Sequence, residues 1–205
     1  MDTRELNPVI TIQPIITRDD EGNDPARCQI EEELISGLYA AAGVDVVFLD
    51  AVHFDNTQAR DGLHDVELVL DDAREAGLLK GDGEIANMFF VNAINGRPAP
   101  CGLSQTPGWL SFIAMAEGRP QAEEAFVIAH ELGHNLGLIH AVDDPKVPDD
   151  VPNIMGDGEF EDRVAPTGLI AYQVEIIRGN PLAVPIEDEA GPVDAPGVGC
   201  SEDAS

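Results

Sequence analysis

The chain has 205 residues, 43% of them apolar, which favours one domain with a sizeable core and argues against disorder. Its 39 acidic against 11 basic side chains give a formal charge of −28, with Lys80 and Lys146 the only lysines. Such a surface repels nucleic acid and anionic membranes, and no apolar run is long enough to span a bilayer, so neither is expected as a partner.

Residues 8–17 are β-branched and predict a strand, with a bulge or break at Pro14, which cannot donate to a ladder. Asp24-Pro25 predicts a helix start, with Ile30, Leu34, Leu38 and Ala41 on its inner face and Gly43 as its stop. Val44–Leu49 predicts a short buried strand, and 51–64 a polar loop. Val66, Val69, Leu70 and Ala73 predict a second helix, closed by Gly77. Ile85–Ala93 reads as a strand, 94–108 as irregular with room for a short edge strand, and Trp109–Met115 as a further strand. A helix is expected from about Gln121, with Ala122, Ala125, Phe126, Ala129, Leu132, Gly133 and Leu136 on one broad face. Residues 141–152 are acidic and proline-rich, a loop. Thr167 is the expected cap of a last helix that carries Leu169, Tyr172, Val174, Ile176 and Ile177 and ends at Gly179. One domain is therefore expected over 1–185, followed by a flexible acidic tail over 186–205.

The chemistry concentrates in residues 130–140, His-Glu-Leu-Gly-His-Asn-Leu-Gly-Leu-Ile-His. His130 and His134 lie one helical turn apart and point from one face. Gly137 can adopt a positive φ, so the chain can leave the helix there and bring His140 back as a third ligand. Three neutral imidazoles leave a zinc ion one open position for water. Glu131 is badly placed to be a ligand and well placed to take that water's proton and return it to a departing amine. Three of only five histidines fall in this run, and no cysteine lies near it to close a structural zinc shell. His53 and His64 read as surface residues. Asp143, Asp144, Asp149 and Asp150 read as a solvated acidic loop, with a calcium ion as the sharper alternative; no EF-hand pattern supports it.

The extended run resembles the signature of the metzincin zinc metalloendopeptidases. Asn153-Ile154-Met155-Gly156 follows at the distance of that family's Met-turn, in which Met155 would form a hydrophobic floor beneath the ligands. The resemblance implies an α+β zincin fold: a twisted, mixed five-stranded sheet with long helices in an α/β-type upper half, the zinc helix at the cleft, and a mostly irregular lower subdomain. It also implies a peptide or protein substrate, added to an edge strand within 97–106, with 156–167 walling the pocket beyond the scissile bond. The His-Asn-Leu-Gly wording is similar to the reprolysin or adamalysin branch, but Ala141 stands where that branch usually has Asp. Asp157 stands where astacin-like enzymes have a tyrosine, so no tyrosine ligand is expected. Cys101 and Cys200 would pair by the same analogy, while Cys28 competes equally on sequence alone. Family members usually act outside the cytoplasm, which sets the expected localisation; yet no export signal is visible, and only seven residues precede the first strand, so no inhibitory propeptide is expected. The alternative function is a non-enzymatic, zinc-containing binding module on the same scaffold.

Overall fold

The strand Val9–Arg18 (β1) organises a mixed sheet. In the computed structural model, which describes residues 7–63, 65–97, 101–148, 151–156 and 168–185, β1 pairs on one side with Ile85–Val91 (β4). On its other side lie Asp45–Phe48 (β2) and Val52–Asp55 (β3), end to end. Leu110–Ala114 (β6) lies beside β4, and Cys101–Ser104 (β5) forms the far edge. Every pairing is parallel except β5 against β6. The five expected strand positions are present, one of them shared by two short strands.

The discontinuity expected at Pro14 falls on the partner instead. β1 keeps one register with β4 straight through Pro14. Across the other side, Ile12 pairs with Phe48 but Ile15 with Val52, so the β2–β3 side carries one extra residue. Pro14 has no N–H to give at that point, and the buried Gln13 amide fills in by donating to the carbonyls of Asp50 and Pro14. The polar 51–64 segment is also more regular than expected. Val52 and Phe54 alternate with polar neighbours to form β3, and Asn56 caps a short helix, Thr57–Asp61 (α2), by accepting from the Ala59 N–H.

Both sheet faces are covered, so β4 is buried from Ala86 to Val91 and apolar at every position but Asn87, whose amide is hydrogen-bonded to the backbone of Lys80 and Ile85. Ile10, Ile12, Met88, Phe90 and Ile113 face one core, with Glu32–Ala40 (α1), Gln121–Asn135 (α4) and Ala171–Arg178 (α5). Ile15, Phe89, Val91 and Phe112 face the other, with α2 and Val66–Glu75 (α3). Phe89 stacks on Phe112 at 4.9 Å between ring centroids.

α1 begins eight residues after Asp24, not at it. Asp24 has φ +45°, which is not the extended conformation of an N-cap, and the next residues run as a connector pinned by Ala26 N–H to Thr17 O. The buried face is Ile35 and Tyr39; Leu34, expected inside, is 46% exposed. α4 starts at Gln121 as expected, although Ala122 is exposed. The last helix begins at Ala171; Thr167, its expected cap, and the tail 186–205 lie outside the described residues. Among the described residues, no helix is long and apolar enough to cross a membrane.

Candidate metal centre

α4 carries the site because its two ends are fixed. At its start the buried Glu124 accepts two hydrogen bonds from the Arg27 guanidinium, at 2.9 and 3.2 Å. At its end Gly137, at φ +95°, closes a Schellman cap: Leu138 N–H bonds Gly133 O and Gly137 N–H bonds His134 O. That cap leaves the Leu138 carbonyl 2.9 Å from His134 Nδ1, within hydrogen-bond reach.

The three histidines meet. One ligand nitrogen from each of His130, His134 and His140 lies within 4.8 Å of the others. The ring centroids stand 4.7 to 5.3 Å apart. His130 Nδ1 lies 2.8 Å from Ile154 O, as His134 Nδ1 does from Leu138 O at 2.9 Å. A carbonyl can only accept, so both Nδ1 atoms carry protons, and the neutral form of each ring is the tautomer with its lone pair on Nε2. His134 Nε2 and His140 Nε2 are 3.1 Å apart. Two nitrogens bound to one zinc at about 2.0–2.1 Å with tetrahedral angles would stand about 3.3 Å apart. The donor set and its tautomers therefore fit a divalent ion of zinc's size, and a cluster of three histidines capable of chelating a metal is present.

Met155 is fully buried against the helix that carries two of the three histidines. Its sulfur fills the space left by Gly133, which stands between the two helical histidines in the chain and where a methyl group would overlap it. The 153–156 turn reaches both sides of the centre. Ile154 O takes the His130 proton, and Met155 O accepts from Ala141 N–H at 2.7 Å, next to His140. Asn153 holds the turn: its side chain accepts from Met155 N–H and exchanges hydrogen bonds with Gln173 of α5, both amides being buried. Sequence reading passed over this pair, whose signal was a glutamine on the apolar face of the last helix.

The Glu131 carboxylate lies against the β5–β6 hairpin and is not one of the metal-competent group. The residue is 6% exposed, and its carboxylate accepts from Ser104 Oγ at 2.6 Å. Burial pushes this carboxyl up to about 7, while the Ser104 hydrogen bond pulls the other way. Gly102 leaves room for it, since a Cβ there would overlap the Glu131 carboxyl group. Ser104 also touches Ser111 Oγ at 3.0 Å, and Ser111 donates to Asn135 Oδ1 at 2.5 Å. The Asn135 amide protons go to the carbonyls of Gln105 and Leu110. Ser104, Gly102, Ser111 and Asn135 were not foreseen as site residues.

The remaining candidates stay apart. His53 is exposed on β3, and His64 lies outside the described residues. Asp144 is buried and accepts from Lys146 N–H within its own turn, while Asp143 is exposed, 3.9 Å from His140 Nδ1. Asp149 and Asp150 lie outside the described residues, and among those described the three histidines are the one metal-competent group. Cys28 packs on one core and Cys101 on the other, so these two are not paired; Cys200 lies outside the described residues. Burial pushes the Cys28 thiol up to about 12.

No family model matches the chain, and no curated protein does. Among solved structures, the archaemetzincin from Methanopyrus kandleri is similar at TM-score 0.51 and 15% identity, with 87% of this chain and 97% of that one covered. Metalloproteinase-II from Bacteroides fragilis aligns at TM-score 0.49 and 14% identity, over 86% of this chain and 54% of that one. At this identity the likeness concerns the fold alone: the sheet and helices are arranged similarly to those of the archaemetzincin, and in this chain they bear a trio of convergent imidazoles.

Proposed function

We propose that the chain is a zinc-dependent endopeptidase, with His130, His134 and His140 as ligands, Glu131 as the proton carrier and Met155 as the floor of the site. The observation that carries this reading is the convergence of three imidazoles, two of them locked by backbone carbonyls into the tautomer that offers Nε2. One zinc ion held there would supply the Lewis acidity that activates a water and polarises a peptide carbonyl. Glu131 takes the proton of the attacking water and delivers it to the departing amine. Its burial keeps bulk water away from that transfer. β5 is a sheet edge, and a peptide laid along it in extended form would present its backbone to Glu131. Nothing among the described residues favours calcium as a second ion.

Purified protein should carry about one zinc per chain and cleave a denatured protein substrate, and a chelator should stop cleavage. Glu131→Ala should keep the metal and lose at least about a hundredfold in turnover, the range of general acid–base catalysis. Full activity in that variant would end this mechanism. Bound zinc without cleavage of any peptide in a broad library would favour the binding-module alternative.

A further inference from the structure

We infer that Ser104, on the edge strand, is the positioning residue for Glu131; the inference rests on the peptidase reading for its catalytic meaning. The placement follows from two periodicities. Gly102 and Ser104 are two residues apart on β5 and so face the same side, toward α4. Glu131 and Asn135 are four apart on α4 and so share one face, toward the hairpin. The two faces interlock. Gly102 makes room for the Glu131 carboxylate, and Ser104 Oγ holds it at 2.6 Å. Ser104 stands opposite Ser111 in the β5–β6 register, and Ser111 bonds to Asn135. The Glu131–Ser104 and Ser111–Asn135 hydrogen bonds thus stand side by side where one turn of helix meets one cross-strand pair.

The Ser104 hydrogen bond and the space at Gly102 restrict a flexible side chain. A glutamate with three rotatable bonds samples several rotamers, and on α4 each would aim the carboxylate at a different point. Ser104 selects one of them. It acts from the strand against which a peptide would lie, so the proton carrier and the peptide backbone are referenced to the same four residues. Asn135 keeps the hairpin in place by donating to Gln105 O and Leu110 O, which fixes the distance between β5 and α4.

The test compares Ser104→Ala and Ser104→Thr with the wild type, all loaded with zinc. Crystal structures should show Glu131 in one conformer within hydrogen-bond reach of residue 104 in the wild type and in Ser104→Thr. In Ser104→Ala the carboxylate should be displaced or spread over several conformers. Kinetics on a cleaved peptide should show kcat reduced about tenfold in Ser104→Ala, as expected for loss of a hydrogen bond to a charged group, with KM and zinc content unchanged and kcat recovered in Ser104→Thr. A Glu131 that keeps its place in Ser104→Ala would overturn the inference, as would a kcat that is unchanged or raised. If the wild type cleaves no peptide, the peptidase reading fails, and the Glu131 conformer alone decides the positioning role.

Discussion

Gly137 sets the position of the third histidine, because only a positive φ lets the chain turn so soon after His134. A side chain there would meet only ordinary contacts with Ile176 and Pro107, so its cost is conformational and not steric. Gly137→Ala should lower stability by about 1–3 kcal/mol, read as a shift in the urea midpoint. Zinc affinity should fall with it, because the Leu138 carbonyl that holds His134 belongs to the same cap. An unshifted midpoint with unchanged metal affinity would falsify that account of the turn. The histidine trio was legible in the sequence because its spacing is local, eleven residues on one helix and its exit. The hydrogen-bond partner of Glu131 was not, since Ser104 lies 27 residues upstream and arrives only when the hairpin packs on α4. A serine between leucine and glutamine at the end of a short edge strand carries no mark of that role until the partner helix is in place.

The turn 153–156 and α5 behave as one brace for the ligands. Asn153 and Gln173 are each buried and each supply what the other needs, so removing either strands a polar group away from water. Asn153→Ala and Gln173→Ala should each cost about 1–3 kcal/mol in unfolding free energy. Each should also weaken zinc binding by about tenfold, as loss of an outer support of a metal ligand does, because Ile154 O and Met155 O lose their fixed positions. Chelator competition measures the second effect separately from the first. Wild-type zinc affinity in both variants would show that the ligand shell stands without the brace. Elements with strong periodicity, such as β1, α3 and α4, are readable from the chain alone. β3 and α2 are not: each is four or five residues long, and their order comes from pairing with β1 and from the Asn56 cap. The phase of α1 also eluded the sequence, because an Asp-Pro pair that reads as a helix start lies before a connector that tertiary contacts hold extended.

Across the whole molecule the charge of −28 dominates. Repulsion among 39 acidic side chains opposes compaction, and salt shortens its reach to about 10 Å at 0.1 M and about 3 Å at 1 M. The thermal midpoint should therefore rise with sodium chloride, by about 2–4 °C for each kcal/mol of repulsion relieved. Scanning calorimetry from low to molar salt checks this, and a flat or falling midpoint would show that the acidic coat carries no strain. The two borders of the sheet differ in a way that bears on use. The β2–β3 border is cut in two by its extra residue, so a visiting strand meets a break in register there. β5 borders the opposite side, next to Glu131. A guest strand that docks on the β5 border would arrive beside that carboxylate, so the border it chooses decides whether docking can lead to chemistry.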